Sequence, residues 1–127
     1  MPHLTARVLE PQLAGREPEL IAALTDAVVK VYGDWARPLA VVHLEGVPPG
    51  RWGVGGVPVP TAAPAVTFGI REGALTGPEG AEHASALVAS ITDAVVAVFG
   101  PDVRPGVSVE LVATPPGRSG SGGVIDY

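Results

Sequence analysis

Length, composition and charge restrict what this chain can be. Its 127 residues suffice for one compact domain. Eight Lys and Arg residues against 13 Asp and Glu residues give a net charge of −5, which argues against a nucleic-acid partner. Cysteine is absent, so disulfides, thiolate catalysis and cysteine metal sites are excluded. Because we find neither a secretory signal nor an apolar run of about 18 residues, we expect a cytoplasmic protein without a membrane partner.

Two copies of one pattern make up the chain. Residues 24–33 (LTDAVVKVYG) recur as residues 91–100 (ITDAVVAVFG), 67 positions later. The opening segments, 2–8 and 64–70, are only 62 positions apart. The second copy therefore holds five extra residues, which fall between positions 72 and 82.

Each copy is predicted to form a strand, a helix, a second strand and a glycine-rich turn or hairpin. Residues 3–9 and 65–71 have an alternating pattern of side chains and contain β-branched residues, which is typical of strands. Apolar residues at helical spacing follow, and Gly33 and Gly100 mark the ends of the two helices. The second strands are predicted at 39–45 and 106–112. The apolar stripes of the helices are Leu20, Leu24, Val28 and Val31, and Leu87, Ile91, Val95 and Val98.

A strand, a helix and a strand in this order form a right-handed βαβ unit with parallel strands. We therefore predict an α/β (α+β two-layer) fold, in which a four-stranded mixed sheet carries both helices on one face. The chain would be a single domain, 1–127, with repeats 2–56 and 64–123 joined by a linker at 57–63. Because Ala, Val and Leu fill the strands, we expect the helix-free face to be apolar and to favour an oligomer.

The first copy resembles a known family along its whole length. Proline follows Met1, the helix ends at Gly33, Pro38-Leu39 precedes a strand, and residues 50–56 (GRWGVGG) close the copy. This pattern resembles the 4-oxalocrotonate tautomerase group of the tautomerase superfamily, in a fused, double-length form. The resemblance implies a tautomerase (MIF-like) fold and a homotrimer, with an amino-terminal proline at the bottom of each pocket.

Pro2 is the principal catalytic candidate. After removal of Met1 its amine would be a secondary amine that titrates near neutral pH and can act as a general base. Pro64 begins the second copy but lies within a peptide bond, so it cannot take this role. The alternative is that Pro2 is an ordinary proline that happens to follow methionine.

The arginines that accompany such a proline are partly missing. The position of the family's pocket arginine is Gln12 in the first copy and Ala74 in the second, and its other arginine corresponds to His43 or Val41. Arg71 is the eighth residue counted from Pro64. At that position the related 3-chloroacrylic acid dehalogenases carry a carboxylate-binding arginine, so the resemblance makes Arg71 a candidate for binding the substrate carboxylate.

Five further residues are candidates, each with a second interpretation. Arg37 and Arg104 occupy matched positions and would assist substrate binding, or would serve a structural or subunit contact. His43 and Glu110 are also matched; they would act as a proton shuttle and as a water-activating carboxylate, or would simply face solvent. Trp52 aligns with the family's pocket aromatic and would form a wall of the pocket, or would fill a subunit contact.

The resulting functional prediction is a cofactor-independent tautomerase or isomerase of small enol, dienol or α-keto acids. Neither a metal nor an organic cofactor is needed, because the amine and the arginines suffice. Hydration or 3-haloacrylate-type dehalogenation is an alternative, with protonated Pro2 as the acid and Glu110 activating water. A non-catalytic trimeric scaffold or ligand-binding protein is another. The preference for Ala, Gly, Pro and Val, and for Arg over Lys, is consistent with a bacterial source.

Overall fold

The fold is built on a central four-stranded sheet, in a computed structural model that describes residues 2–127. The predicted removal of Met1 concerns a residue outside this range. Three short 3-10 helices, Asp34–Leu39, Glu72–Ala74 and Pro101–Gly106, connect the main elements. In chain order these elements are β1 (His3–Leu9), α1 (Glu10–Leu13), α2 (Glu17–Tyr32), β2 (Val41–Val47), β3 (Gly53–Val54), β4 (Val57–Pro58), β5 (Ala65–Arg71), α3 (Gly80–Phe99), β6 (Ser108–Thr114), β7 (Gly120–Ser121) and β8 (Val124–Ile125).

The sheet has the mixed topology that the sequence predicts. Its strand order is β2-β1-β5-β6, with β1 parallel to β2 and β5 parallel to β6. The two repeats meet at the centre through the antiparallel pair β1 and β5, in which His3 lies opposite Gly69 and Thr5 lies opposite Thr67. This pairing places the start of β1 beside the end of β5.

Both long helices pack on one face of the sheet. Their buried side chains form a single core with the inward-facing residues of β1 and β5, and Phe68 is among the largest fully buried side chains. The two helices also contact each other, and the buried Ser90 hydroxyl donates a hydrogen bond to the carbonyl of Ala27 at 2.9 Å. The predicted apolar stripes supply the buried residues Leu20, Leu24 and Val28 of α2, and Leu87, Ile91, Val95 and Val98 of α3.

Two boundaries differ from the sequence predictions. The second strands begin two residues later than expected, because the chain forms the 3-10 helices Asp34–Leu39 and Pro101–Gly106 before it becomes extended. Each of these helices contains a proline near its end, and the N–H of the residue that follows the helix closes the last turn. The Ala40 N–H, for example, donates to the carbonyl of Ala36 at 2.9 Å. The segment predicted as a linker, 57–63, begins with β4, which pairs with β3 in a hairpin.

The helix-free face of the sheet is polar, so the expectation of an apolar face was wrong. Strand residues alternate between the two faces, and most of the apolar ones pack in the core, although Val41 and Val112 lie on the helix-free face. Arg7 and Glu45 form an ion pair of 2.9 Å on neighbouring strands. This face is therefore too polar to favour an oligomer through apolar packing of one sheet on another. Its polar side chains on the central and edge strands include Thr5, Arg7, His43, Glu45, Thr67 and Glu110.

Helix α3 bears on the expectation that no segment of the chain crosses a membrane. Its 20 residues, Gly80–Phe99, are long and apolar enough to do so by length and composition alone. The core helix of a globular domain can meet the same criterion, and here Leu87, Ile91 and Val95 are fully buried against the sheet and α2.

Candidate active site

Pro2 lines a cavity of about 340 Å³, which we call the Pro2 cavity. Arg71 and Asp126 line the same cavity, and they are its two charged side chains among the described residues 2–127. The remaining walls are aromatic or aliphatic. They consist of Tyr32, Trp35, Leu39, Ile70 and Ala74.

The position of Pro2 follows from the strand pairing. Pro2 immediately precedes β1, is buried, and accepts a hydrogen bond through its carbonyl from the Val41 N–H at 3.1 Å. Because β1 and β5 are antiparallel, His3 pairs with Gly69, and Pro2 lies next to the end of β5. Thus a residue of the second repeat, Arg71, reaches the proline of the first.

Gly69 allows a close approach at this junction. The imidazole of His3 lies over Gly69, and a Cβ atom at that position would overlap the ring. His3, Arg71 and Asp126 also line an adjoining cavity of about 240 Å³. A larger side chain in place of Gly69 would therefore displace His3 at the edge of the Pro2 cavity.

Arg71 is held in place by an aromatic ring. Its guanidinium carbon lies 5.0 Å from the centroid of Tyr127, a cation–π arrangement. The Tyr127 hydroxyl in turn accepts a hydrogen bond from the Gly73 N–H at 2.9 Å. Within residues 2–127, Arg71 makes no ion pair and donates no side-chain hydrogen bond. Its N–H groups are therefore available to an anionic ligand.

Asp126 is fixed by the hairpin formed by β7 and β8. The hydroxyls of Ser119 and Ser121 donate hydrogen bonds to its two carboxylate oxygens at 2.9 and 3.0 Å. These bonds, first that from Ser119, hold the pKa of Asp126 below its usual value. An ionised carboxylate thus faces the cavity that contains Pro2 and Arg71.

The aromatic wall comes from the end of α2 and the 3-10 helix after it. Tyr32 and Trp35 meet edge to face with ring centroids 6.1 Å apart, and the Trp35 residue is 60% exposed. The Tyr32 hydroxyl is buried and has no hydrogen-bond partner within residues 2–127. Burial also raises the pKa of Tyr32 above its usual value. The cavity is therefore bordered by an edge-to-face aromatic pair, in which the Tyr32 hydroxyl is buried.

Two of the seven site residues suggested by the sequence, Pro2 and Arg71, come together in the Pro2 cavity. His43 and Glu110 do not line it. They lie exposed on the polar sheet face, on the opposite edge strands β2 and β6. Trp52 is half-buried just before β3 and is also absent from the lining of the cavity.

Arg37 and Arg104 have matched surface roles. Arg37 forms an ion pair of 2.9 Å with Asp26, and Arg104 forms one of 2.8 Å with Asp93. Each pair joins a 3-10 helix to the preceding α-helix, and neither arginine lines the Pro2 cavity. These ion pairs agree with the structural interpretation of the duplication, and substrate binding by Arg37 and Arg104 stays a prediction.

Three cavity residues escaped the sequence analysis: Tyr32, Trp35 and Asp126. A pair of aromatic residues flanking the helix-ending Gly33 was a signal for the first two. The signal for Asp126 was weaker: in the second glycine-rich segment, two serines and an aspartate stand where the first segment has apolar residues. As for metals, no group of three or more His, Asp and Glu side chains that could hold an ion occurs in the part of the chain from Pro2 to Tyr127.

Comparison with known proteins agrees with this architecture. The family described as "Tautomerase enzyme" matches residues 2–62. No curated protein sequence matches the chain. Two fused 4-OT structures cover 97% of this chain and 94% of their own: a native form with 24% identity and a TM-score of 0.82, and an asymmetric trimer with 25% identity and a TM-score of 0.80.

A third similar structure belongs to the cis-3-chloroacrylic acid dehalogenase family. It is 20% identical, has a TM-score of 0.70, and the alignment covers 97% of this chain and 82% of that one. The fold thus extends over both repeats, while the sequence match covers the first. The match of the first repeat to the tautomerase family and the fold shared with fused 4-OT structures together support a fused 4-OT-like member of the tautomerase superfamily.

Proposed function

We propose that this protein is a cofactor-independent tautomerase of small enol or α-keto carboxylic acids. The observation that carries the proposal is that Pro2 and Arg71 line one cavity with largely apolar walls. After removal of Met1, the Pro2 amine takes a proton from the substrate and returns it to another atom. An apolar environment favours the neutral, basic form of the amine.

Arg71 binds the substrate carboxylate in this mechanism. Its guanidinium carries no ion pair within residues 2–127, and its N–H edge can form a bidentate contact with a carboxylate. The cation–π contact with Tyr127 holds the guanidinium beside the cavity. The substrate's reacting carbons then lie between the arginine and the proline, with Trp35 and Ile70 on the cavity wall beside them.

The test compares two arginines with phenylenolpyruvate as substrate. We expect Arg71→Ala to lower kcat/KM by about 10- to 100-fold, the effect of losing a charged hydrogen bond. Arg104→Ala, which removes an exposed ion pair outside the cavity, should leave kcat/KM unchanged. Intact-mass measurement must show that Met1 is absent from the active protein. A retained Met1 with full activity would eliminate Pro2 as the base.

Hydration or dehalogenation is a second candidate, supported by the carboxylate in the cavity and by the dehalogenase-family structure among the similar folds. Here protonated Pro2 would be the acid, and Asp126 rather than Glu110 would activate water. The pH dependence of kcat/KM separates the two mechanisms. Activity that requires a deprotonated group supports the tautomerase, and activity that requires a protonated group supports the hydratase.

We also propose a homotrimer, on the analogy of the fused 4-OT trimers with similar folds. The non-catalytic alternative makes a distinct prediction. A scaffold or ligand-binding protein would keep its assembly in Pro2→Ala and would turn over neither phenylenolpyruvate nor 2-hydroxymuconate in any form. Light scattering combined with both assays tests it.

A further inference from the structure

The Pro2 cavity has an unusual charge balance for a carboxylate-binding site. One cation, Arg71, and one anion, Asp126, line it, and its other walls are aromatic or aliphatic. With the amine of Pro2 neutral, the cavity has no net charge. A substrate with one carboxylate can pair with Arg71, whereas a second carboxylate finds no further cation among the lining residues.

Asp126 is built to remain charged and in place. The Ser119 and Ser121 hydroxyls each donate to one of its oxygens, so the carboxylate is held by two bonds from its own hairpin. Hydrogen bonds of this kind favour the ionised form. Asp126 and Arg71 are more than 4.0 Å apart, since no ion pair joins them. The Asp126 carboxylate therefore does not neutralise the Arg71 guanidinium by direct contact.

The rest of the cavity suits an apolar group. Trp35 exposes a large part of its ring, and Leu39, Ile70 and Ala74 continue the apolar surface. A carboxylate pressed against these side chains would lose water without gaining a hydrogen bond, which is costly. An aromatic or aliphatic tail would instead bury apolar area and stack against Trp35.

We infer that Asp126 is a specificity-determining residue, and that the Pro2 cavity selects substrates with one carboxylate and an apolar or aromatic tail over dicarboxylates. Repulsion from the Asp126 carboxylate excludes the second negative charge. This inference rests on the proposed function, because it assigns the substrate class of the same site.

The experiment compares phenylenolpyruvate, a monocarboxylate, with 2-hydroxymuconate, a dicarboxylate. We expect the unaltered protein to prefer the monocarboxylate by about tenfold or more in kcat/KM. Asp126→Asn should raise kcat/KM for the dicarboxylate and narrow the preference by about tenfold, because the side chain loses its charge. Its amide oxygen can still accept from one serine hydroxyl, and its NH2 group can donate to the other. Asp102→Asn, an exposed position with the same change in net charge, is the control and should leave the preference unchanged.

A binding measurement separates this inference from the proposed function. In a Trp52→Phe background, Trp35 is the single tryptophan, and its fluorescence can report binding of phenylpyruvate and of 2-oxoadipate. Stronger binding of phenylpyruvate without turnover of either substrate would contradict the tautomerase and support the selectivity. Equal or stronger binding of the dicarboxylate, or a preference that Asp126→Asn does not change, would overturn the inference.

Discussion

The two repeats build the same framework around their first prolines. The carbonyl of Pro2 accepts a hydrogen bond from Val41 at 3.1 Å, and that of Pro64 accepts one from Ser108 at 3.4 Å. The same aspartate–arginine ion pair recurs 67 residues later on the surface of each repeat. These shared contacts concern folding, because none of them involves a charged group in the Pro2 cavity.

The surroundings of the two prolines differ. Pro2 of the first repeat is bordered by Arg71 and Asp126, which come from the second half of the chain. Leu9 and Val59 occupy the corresponding positions near Pro64, since the hydrogen bond from Val59 N–H to the Trp52 carbonyl matches that from Asp126 N–H to Ser119. The charged pair is therefore confined to one of the two sites.

The chain itself occupies the region before Pro64. Gln12, which corresponds to Ala74 of the Pro2 cavity, donates to the carbonyl of Ala62 and accepts from its N–H, both at 3.0 Å. Ala63 lies so close to Gly106 that a Cβ atom there would be 2.9 Å from the Ala63 side chain. Both repeats thus keep the same framework, but the region around Pro64 holds the linker, whereas the region around Pro2 is a cavity.

We expect the largest difference in activity between two single variants, Pro2→Ala and Pro64→Ala. Pro2→Ala replaces the secondary amine, and we expect kcat/KM for phenylenolpyruvate to fall by about 100-fold or more. Pro64→Ala should leave kcat/KM within about twofold and cost about 1 kcal/mol of stability, because the unfolded chain gains freedom. Steady-state kinetics and urea denaturation measure both effects. Equal loss of activity in the two variants would contradict the functional division between the repeats.

The sequence predicted the framework better than the site, and the reason is the range of the interactions. The strands His3–Leu9 and Ala65–Arg71 and the buried faces of both helices follow from local periodicity. The proximity of Pro2 to Arg71 follows from the antiparallel pairing of β1 with β5, which periodicity does not specify. Arg71 became a candidate only because it is the eighth residue counted from Pro64, a position at which a related family carries a carboxylate-binding arginine.

The remaining cavity residues depend on two connections that have no periodicity. Trp35 reaches the cavity because a 3-10 helix follows α2, where a strand was expected soon after Gly33. Asp126 reaches it because the β7–β8 hairpin returns towards Arg71. The exposure of His43 and Glu110 fits the alternative that a polar residue on an alternating strand simply belongs to a polar face, and their catalytic roles stay predictions.

A smaller effect, on stability rather than activity, should follow when the linker loses its hydrogen bonds to Gln12. Gln12→Ala removes two hydrogen bonds to Ala62, and we expect a loss of about 1–3 kcal/mol in the free energy of unfolding. The Ala62 amide should exchange its proton faster, while kcat/KM stays unchanged. Glu19→Ala, at an exposed position of α2, is the control and should change stability by less than about 0.5 kcal/mol. Unchanged exchange at Ala62 would show that Gln12 does not anchor the linker.

The smallest expected effect concerns the hairpin residue that distinguishes the two sites, Asp126. Its pKa in the folded protein lies below the usual 3.8, because Ser119 and Ser121 donate to the ionised carboxylate. A depressed pKa means that the stabilisation is present above the unfolded pKa and is lost as the pH falls through the folded pKa. Acidification below the usual pKa of 3.8, towards the lower pKa of the folded protein, should therefore remove this stabilisation and loosen the hairpin.

Carbon NMR titration of the Asp126 carboxyl group measures this shift directly. Ser119→Ala removes the stronger of the two contributions and should raise the pKa of Asp126 towards its usual value. Ser85→Ala, an exposed serine on α3, should have no effect on it. Because Val59 takes the place of Asp126 in the first hairpin, acidification should leave that hairpin unchanged. A pKa that stays the same in Ser119→Ala would mean that the hairpin does not hold the carboxylate in its charged form.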